Sequence, residues 1–139
     1  MSTIHQTGPF VEWILATLRA DGLIVGFAHK PDDDDIPAGA GYSVVYPIPG
    51  GSTSGSIDAP RSDATVAVQI TSSATRPDQA ADIADRVRVV LDVAIPATLT
   101  GGRRVIFGDF PEGSPSVDRD DQVQPPRYFV PDRFEFGTA

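Results

Sequence analysis

Cysteine is absent from the 139-residue sequence, and this absence removes three kinds of chemistry. Without thiols there can be no disulfide, no thiolate nucleophile and no cysteine-ligated zinc site. The only two histidines, His5 and His29, are separated by a predicted helix and part of a strand. Neither has a neighbour that marks a catalytic triad, and no histidine pair has the spacing of a metal site.

Long apolar runs and clustered positive charge are also missing. No stretch approaches the roughly 20 apolar residues that cross a bilayer, and MSTIHQTGP lacks the basic and apolar regions of a signal peptide, so we expect a soluble protein made in the cytosol. The net charge is -8 and only Arg103 and Arg104 are adjacent basic residues. This argues against a sequence-independent nucleic-acid binder. The length predicts a single domain over residues 1–139.

The most informative segment runs from Ala64 to Ala94. Alternating Val66, Val68 and Ile70 predict a half-buried strand that ends at Thr71. Thr75 is a candidate N-cap and Pro77 occupies the first turn of a helix. The apolar residues of that helix recur at spacings of three and four: Ala80, Ile83, Ala84, Val87, Val90, Leu91 and Ala94.

The remaining elements predict an α+β fold. A first helix follows Pro9, has its apolar stripe at Val11, Ile14, Leu15 and Leu18, and ends with Gly22 at its C′ position. Strands are predicted at 23–28, 42–46 and 104–107, with two short stretches around Pro131, which indicates an edge strand or a bend. Long loops are predicted at 29–40, 48–62 and 111–126. We expect two helices on one face of a mixed, mostly antiparallel four- to five-stranded sheet.

One cluster could carry chemistry, namely His29 with Asp32, Asp33, Asp34 and Asp35. It could hold a hard cation such as Ca²⁺ or Mg²⁺, but an acidic run on a proline-bounded loop is more often a solvated surface. The segment GGSTSGS at 50–56 lacks the lysine of a phosphate-binding loop. The sequence therefore assigns no catalytic, cofactor-binding or metal-binding residue.

Four aromatic residues have two interpretations. Trp13 lies beside the apolar stripe of the first helix, and Tyr128, Phe134 and Phe136 lie in the last predicted strands. They either belong to the core or form a subunit interface, where aromatic residues are enriched. An exposed aromatic strand is also suited to strand addition by a neighbour.

The order of elements resembles a known family. VAVQITSSA running into RPDQAADIADRVRVVL, a preceding hairpin with a long interior loop, and a final RFEF stretch are similar to the small tail terminator proteins of long-tailed, siphovirus-type bacteriophages, above all those of actinobacteriophages. The resemblance implies a non-enzymatic α+β virion protein without a cofactor. It also implies a homohexameric ring that caps the tail tube at the neck and joins it to the head-tail connector or head completion protein.

In such a ring, DNA passes through the lumen without specific binding, and the long loops contact the layers above and below. We hypothesise, from charge alone, that Asp32, Asp33, Asp34 and Asp35 face the lumen and repel DNA. Two alternatives stay open. The first is a head-tail connector or tail completion protein, and the second is a small cytosolic metal- or ligand-binding α+β module. Neither alternative involves a membrane.

Overall fold

The computed structural model describes residues 4–48, 53–54, 63–99, 104–111, 116–122 and 126–138. Within them lie two helices, α1 (Ile4–Ala20) and α2 (Pro77–Val93). The strands are β1 (Val25–Phe27), β2 (Tyr42–Ile48), β3 (Thr53–Ser54), β4 (Asp63–Ala74), β5 (Ala97–Thr98), β6 (Arg104–Asp109), β7 (Asp118–Asp120) and β8 (Arg127–Thr138). None of the helices in these ranges is both long and apolar enough to span a membrane.

The strands form an open, mixed sheet, which confirms the predicted α+β class. Its main order is β1-β2-β4-β8-β6-β5, with β3 added to β4 and β7 added to β8. The β1–β2 pair is parallel and the other pairs are antiparallel. The sheet has more strands than the predicted four or five, because strands of two or three residues are too short to show alternation in a sequence.

As predicted, Gly22 lies at the C′ position just after the end of α1, and it has a left-handed φ of +87°. Its N–H donates to the Arg19 carbonyl at 2.9 Å, and the next N–H, of Leu23, donates to the Leu18 carbonyl at 3.2 Å. These two bonds satisfy carbonyls that the last turn would otherwise leave unpaired. The start differs from the prediction, since the helix begins at Ile4 and contains Pro9.

Helix α2 begins at Pro77, as predicted, but Thr75 is not its N-cap. The N-cap is Arg76, in an extended conformation and without a side-chain cap hydrogen bond. Strand β4 continues past Thr71 to Ala74 because Ser72, Ser73 and Ala74 remain paired with β8. Pairing in the sheet therefore prevails over the local capping preference of the Ser/Thr-rich segment.

Strand β8 is central, so the predicted edge strand or bend at Pro131 is wrong. One side of β8 pairs with every residue of β4 from Ala64 to Ala74. The other side pairs with β7 at 127–129 and with β6 at 135–138. Pro131 lies in the gap between those two partners, where a missing N–H costs no ladder hydrogen bond. Strand addition along an exposed β8 is excluded for the same reason.

The main core lies between the helices and one face of the sheet. Alternate residues of β4 and β8, including Val68, Ile70, Phe134 and Phe136, point toward the helices and are at most 1% exposed. They meet Phe10, Ile14 and Leu18 from α1 and Val87 and Leu91 from α2. Each such side chain contributes roughly 1.5–3 kcal/mol by leaving water. Both helices are thus held on one face, as the sequence predicted.

Candidate functional site

The acidic segment of the first long loop lies beside strand β1. Asp33–Asp35 form a single turn of 3-10 helix, closed by the Asp35 N–H donating to the Asp32 carbonyl at 2.8 Å. Asp32 and Asp35 line a cleft of about 540 Å³ together with β1, Arg19 and His29. We call this the edge cleft.

The chain reaches this position because it folds back tightly over Gly26. A Cβ at Gly26 would collide with the His29 carbonyl oxygen and lie 3.0 Å from Pro31. A larger residue would therefore push the loop away from the strand. The glycine that the sequence shows in the middle of β1 marks this close approach, and the return of the chain brings His29 and Asp32 to the sheet.

The outer side of β1 is an edge of the described sheet. The Ile24 carbonyl accepts from the Ser43 N–H at 2.9 Å, and the Ala28 N–H donates to the Val45 carbonyl at 2.8 Å. Backbone groups alternate in direction along a strand, so those of Val25 and Phe27 point outward. Arg19 Nη2 donates to the outward Val25 carbonyl at 2.9 Å.

The edge cleft offers hard oxygen ligands without gathering them. His29 Nδ1 lies 3.0 Å from the Lys30 carbonyl oxygen, and Asp32, Asp34 and Asp35 are exposed. Over the described ranges, no three His, Asp or Glu side chains converge in a way that could hold a metal ion. The side chains of His5 and Asp33 lie outside the described part. Two carboxylates beside an apolar strand are better suited to receiving a cationic side chain.

Two of the four predicted interface residues cannot serve as such. Phe134 and Phe136 have no exposed surface, because their positions on β8 point toward the helices. They form edge-to-face contacts with Phe110 at 5.2 and 5.3 Å between ring centroids. Their prediction as subunit contacts is therefore wrong in this fold, and the alternative of a core role is correct.

Trp13 and Tyr128 are half-buried. Trp13 packs edge-to-face on Phe136 at 5.7 Å and lies 6.0 Å from Phe10, so part of its ring belongs to the core. Tyr128 lies under the guanidinium of Arg119 from β7, 6.0 Å from the ring centroid. Each retains exposed surface, and their role in a subunit interface stays a prediction.

A buried ion pair between α2 and β8 was missed by the sequence analysis. Arg88 donates two hydrogen bonds to Asp132, from Nε to Oδ2 and from Nη2 to Oδ1, both at 3.0 Å. The side chains are 13% and 8% exposed. The signal was present, since Asp132 is the one acidic residue in the inward alternation of β8. Beside the pair, Arg88, Val89, Asp92 and Phe110 help to line a shallow cleft of about 370 Å³.

The face of the sheet that carries neither helix has a mixed character. The register aligns Tyr46 of β2, Gln69 of β4 and Arg133 of β8 in one row, and Pro131 lies in the next. Tyr46 is 37% exposed, and Pro131 and Arg133 are exposed. Aromatic, apolar and charged residues on one flat surface are typical of a contact surface between proteins.

The other two predicted loops fall mainly outside the described residues. Of 48–62, the structure describes Ile48 and the short β3, and of 111–126 it describes residues 111, 116–122 and 126, which include β7. Most of the GGSTSGS segment is therefore not placed.

No protein-family model matches the chain, and no curated protein matches it in sequence.

Proposed function

We propose that this protein is a ring-forming tail terminator of a long-tailed bacteriophage, a structural subunit whose work is done by its contact surfaces. The observation that carries the proposal is the open sheet, whose order of described strands ends in β1 on one side and β5 on the other, and which has one helix-free face. Contacts that join two different surfaces of identical subunits generate rings when the rotation closes. The assignment to a phage tail comes from the order of elements, which resembles that of the tail terminator family.

In this proposal the protein needs no catalytic group or cofactor. Its partners are further copies of itself in a hexameric ring, the tail tube protein below the ring, and the head-tail connector or head completion protein above it. The location is the neck of the virion. The helix-free face and the long loops supply surfaces for those layers, and DNA passes through the lumen without specific binding.

Electron microscopy of tails assembled with and without the protein tests the proposal. We expect tubes of one defined length when the protein is present and of uncontrolled length when it is absent, because the cap stops addition of tube subunits. Tails that keep their normal length without the protein would refute the assignment.

The same preparation separates the terminator from its nearest alternative. Purified protein added to bare tail tubes is expected to give a sixfold cap at one end in averaged images. Binding to the portal side of heads, with no binding to tube ends, would instead identify a head-tail connector or tail completion protein.

A further inference from the structure

We propose that neighbouring copies join head to tail, with Arg104 of one copy entering the edge cleft of the next and facing Asp32 and Asp35. This contact rests on the self-assembly proposed above and identifies the surfaces that make it. The partner is a second copy of this chain, and the recognition is between a guanidinium and two carboxylates.

The two surfaces occupy opposite corners of the sheet. Strand β1 and strand β6 are separated by β2, β4 and β8, so four strand spacings of about 4.8 Å place them about 19 Å apart across the sheet. They are also offset along the strands. Val25 is in register with Ser43, Ser72 and Val130, whereas Val105 pairs with Thr138. One chain cannot bring its own Arg104 to its own edge cleft.

The edge cleft has an excess of negative charge. Its lining contains two exposed carboxylates, those of Asp32 and Asp35, and one guanidinium, that of Arg19, which donates from Nη2 to the Val25 carbonyl. That bond also occupies one of the outward carbonyls of the three-residue β1, which disfavours strand addition at this edge and favours a contact through side chains. Phe27, 42% exposed, supplies apolar area beside the carboxylates.

The corner that carries Arg104 complements these features. Arg104 is exposed and begins β6, where it pairs with Thr98 of the two-residue β5. Ile106, two residues further on, is 43% exposed and matches Phe27 as an apolar contact. A guanidinium between two carboxylates gains from charge-assisted hydrogen bonds and from complementary potentials.

The other corner on the β6 side of the sheet, formed by β7, does not complement the charge of the edge cleft. Strand β7 carries Asp118 and Asp120, and its Arg119 is already paired with Asp121. An acidic strand of this kind would be repelled by the edge cleft. Charge complementarity therefore selects the corner at Arg104 over that at β7.

The lack of cysteine in the chain allows a direct test by cross-linking. In the double variant Asp35→Cys/Arg104→Cys of the full chain, the two introduced thiols are too far apart within one copy to form a disulfide, which requires Cα atoms within about 7 Å. We expect oxidation of rings, formed in solution or on purified tail tubes, to give a ladder of covalent multimers that ends at the closed ring. Each single variant should give no ladder.

A matched control places the second thiol on the helix-free face, as Asp35→Cys/Arg133→Cys, and should stay uncross-linked. The proposal would be overturned if this control gave a ladder. It would also be overturned if the test variant Asp35→Cys/Arg104→Cys gave only dimers or no cross-linked product. Tail-length control is scored separately on the unmodified protein. A capped tail without the cross-link would therefore refute this contact and leave the proposed function standing, whereas cross-linked rings that do not affect tail length would refute the function.

Charge reversal gives a second measurement on the same contact. Arg104→Glu or Asp35→Arg alone should weaken ring formation by about tenfold or more, and the combination should restore it, because the pair is re-formed with its charges exchanged. Arg76→Glu, at the exposed start of α2, is the control and should leave assembly unchanged. Normal assembly of both single variants would overturn the proposal. The hypothesis that the four aspartates face the lumen would then have no competing role in a subunit contact.

Discussion

At the scale of single residues, the Arg88–Asp132 pair is a buried polar link between a helix and the sheet. It ties α2 to the central strand by two parallel hydrogen bonds, and Asp85 lies 3.8 Å from the same guanidinium. Burial makes such a pair costly to break, since removing one partner leaves the other charge poorly solvated. The pair therefore fixes where α2 crosses β8.

We expect Asp132→Ala to lower the free energy of unfolding by about 3 kcal/mol. Urea denaturation followed by circular dichroism measures this loss. The double variant Arg88→Met/Asp132→Leu should lose less than the single variant, because it leaves no unpaired charge in the core.

The exposed pair of Arg119 and Asp121 is the control for this effect. Its side chains are 56% and 68% exposed, so Asp121→Ala should change stability by at most about 1 kcal/mol. Equal losses at Asp121 and Asp132 would show that burial does not set the cost of breaking the Arg88 pair.

Trp13 supplies a second residue-scale prediction because it is the only tryptophan in the chain. Its half-buried ring should lose further contact with water if it lies in a subunit interface, so its fluorescence maximum should move to shorter wavelength on ring assembly. The Arg104→Glu variant at the same concentration is the reference. An unchanged spectrum on assembly would assign Trp13 to the subunit's own aromatic cluster alone.

At the scale of elements, the ends of α1 give glycine two opposite roles. Gly8 lies inside the helix, and a Cβ added there would meet no atom within 4 Å apart from its chain neighbours and the helix's own backbone. Gly22 has a φ of +87° and makes the C-terminal hydrogen bonds. The same substitution should therefore have opposite effects at the two positions.

We expect Gly8→Ala to stabilise the protein by at most about 0.5 kcal/mol, because the lower backbone entropy of the unfolded chain is partly offset by contact of the new Cβ with the ring of Pro9. We expect Gly22→Ala to destabilise it by about 1 kcal/mol, because a Cβ is unfavourable at positive φ. Thermal unfolding of both variants in one buffer measures the difference. A loss of stability at both positions would contradict the account of Gly8.

The elements also show which parts of the fold can be predicted from the sequence. Both helices and the long strands could be predicted because each repeats its apolar pattern often enough to fix a period. The continuity of β8 through Pro131 could not be, since it depends on which neighbours stop short of that residue. The N-cap at Arg76 was missed for a similar reason, because the pairing that extends β4 to Ala74 is made with a strand distant in sequence.

At the scale of the whole molecule, the candidate site was only partly predictable. The acidic run and Arg104 are visible in the sequence, but their placement at opposite corners depends on the strand order. Phe134 and Phe136 were proposed as contacts because aromatic alternation does not say which face is covered. Which charged residues lie at which edge of the sheet depends on the strand order, which the sequence pattern does not give.

The pairing of β4 with β8 has a consequence for synthesis. The middle of the sheet is closed by residues 127–138, which leave the ribosome long after Asp63–Ala74. A nascent chain therefore holds β4 with one side unpaired until that late segment arrives, and closing so long a loop is intrinsically slow. Any product that stops before Arg127 lacks the strand joining the two halves of the sheet, so translation that ends early yields no subunit able to enter an assembly.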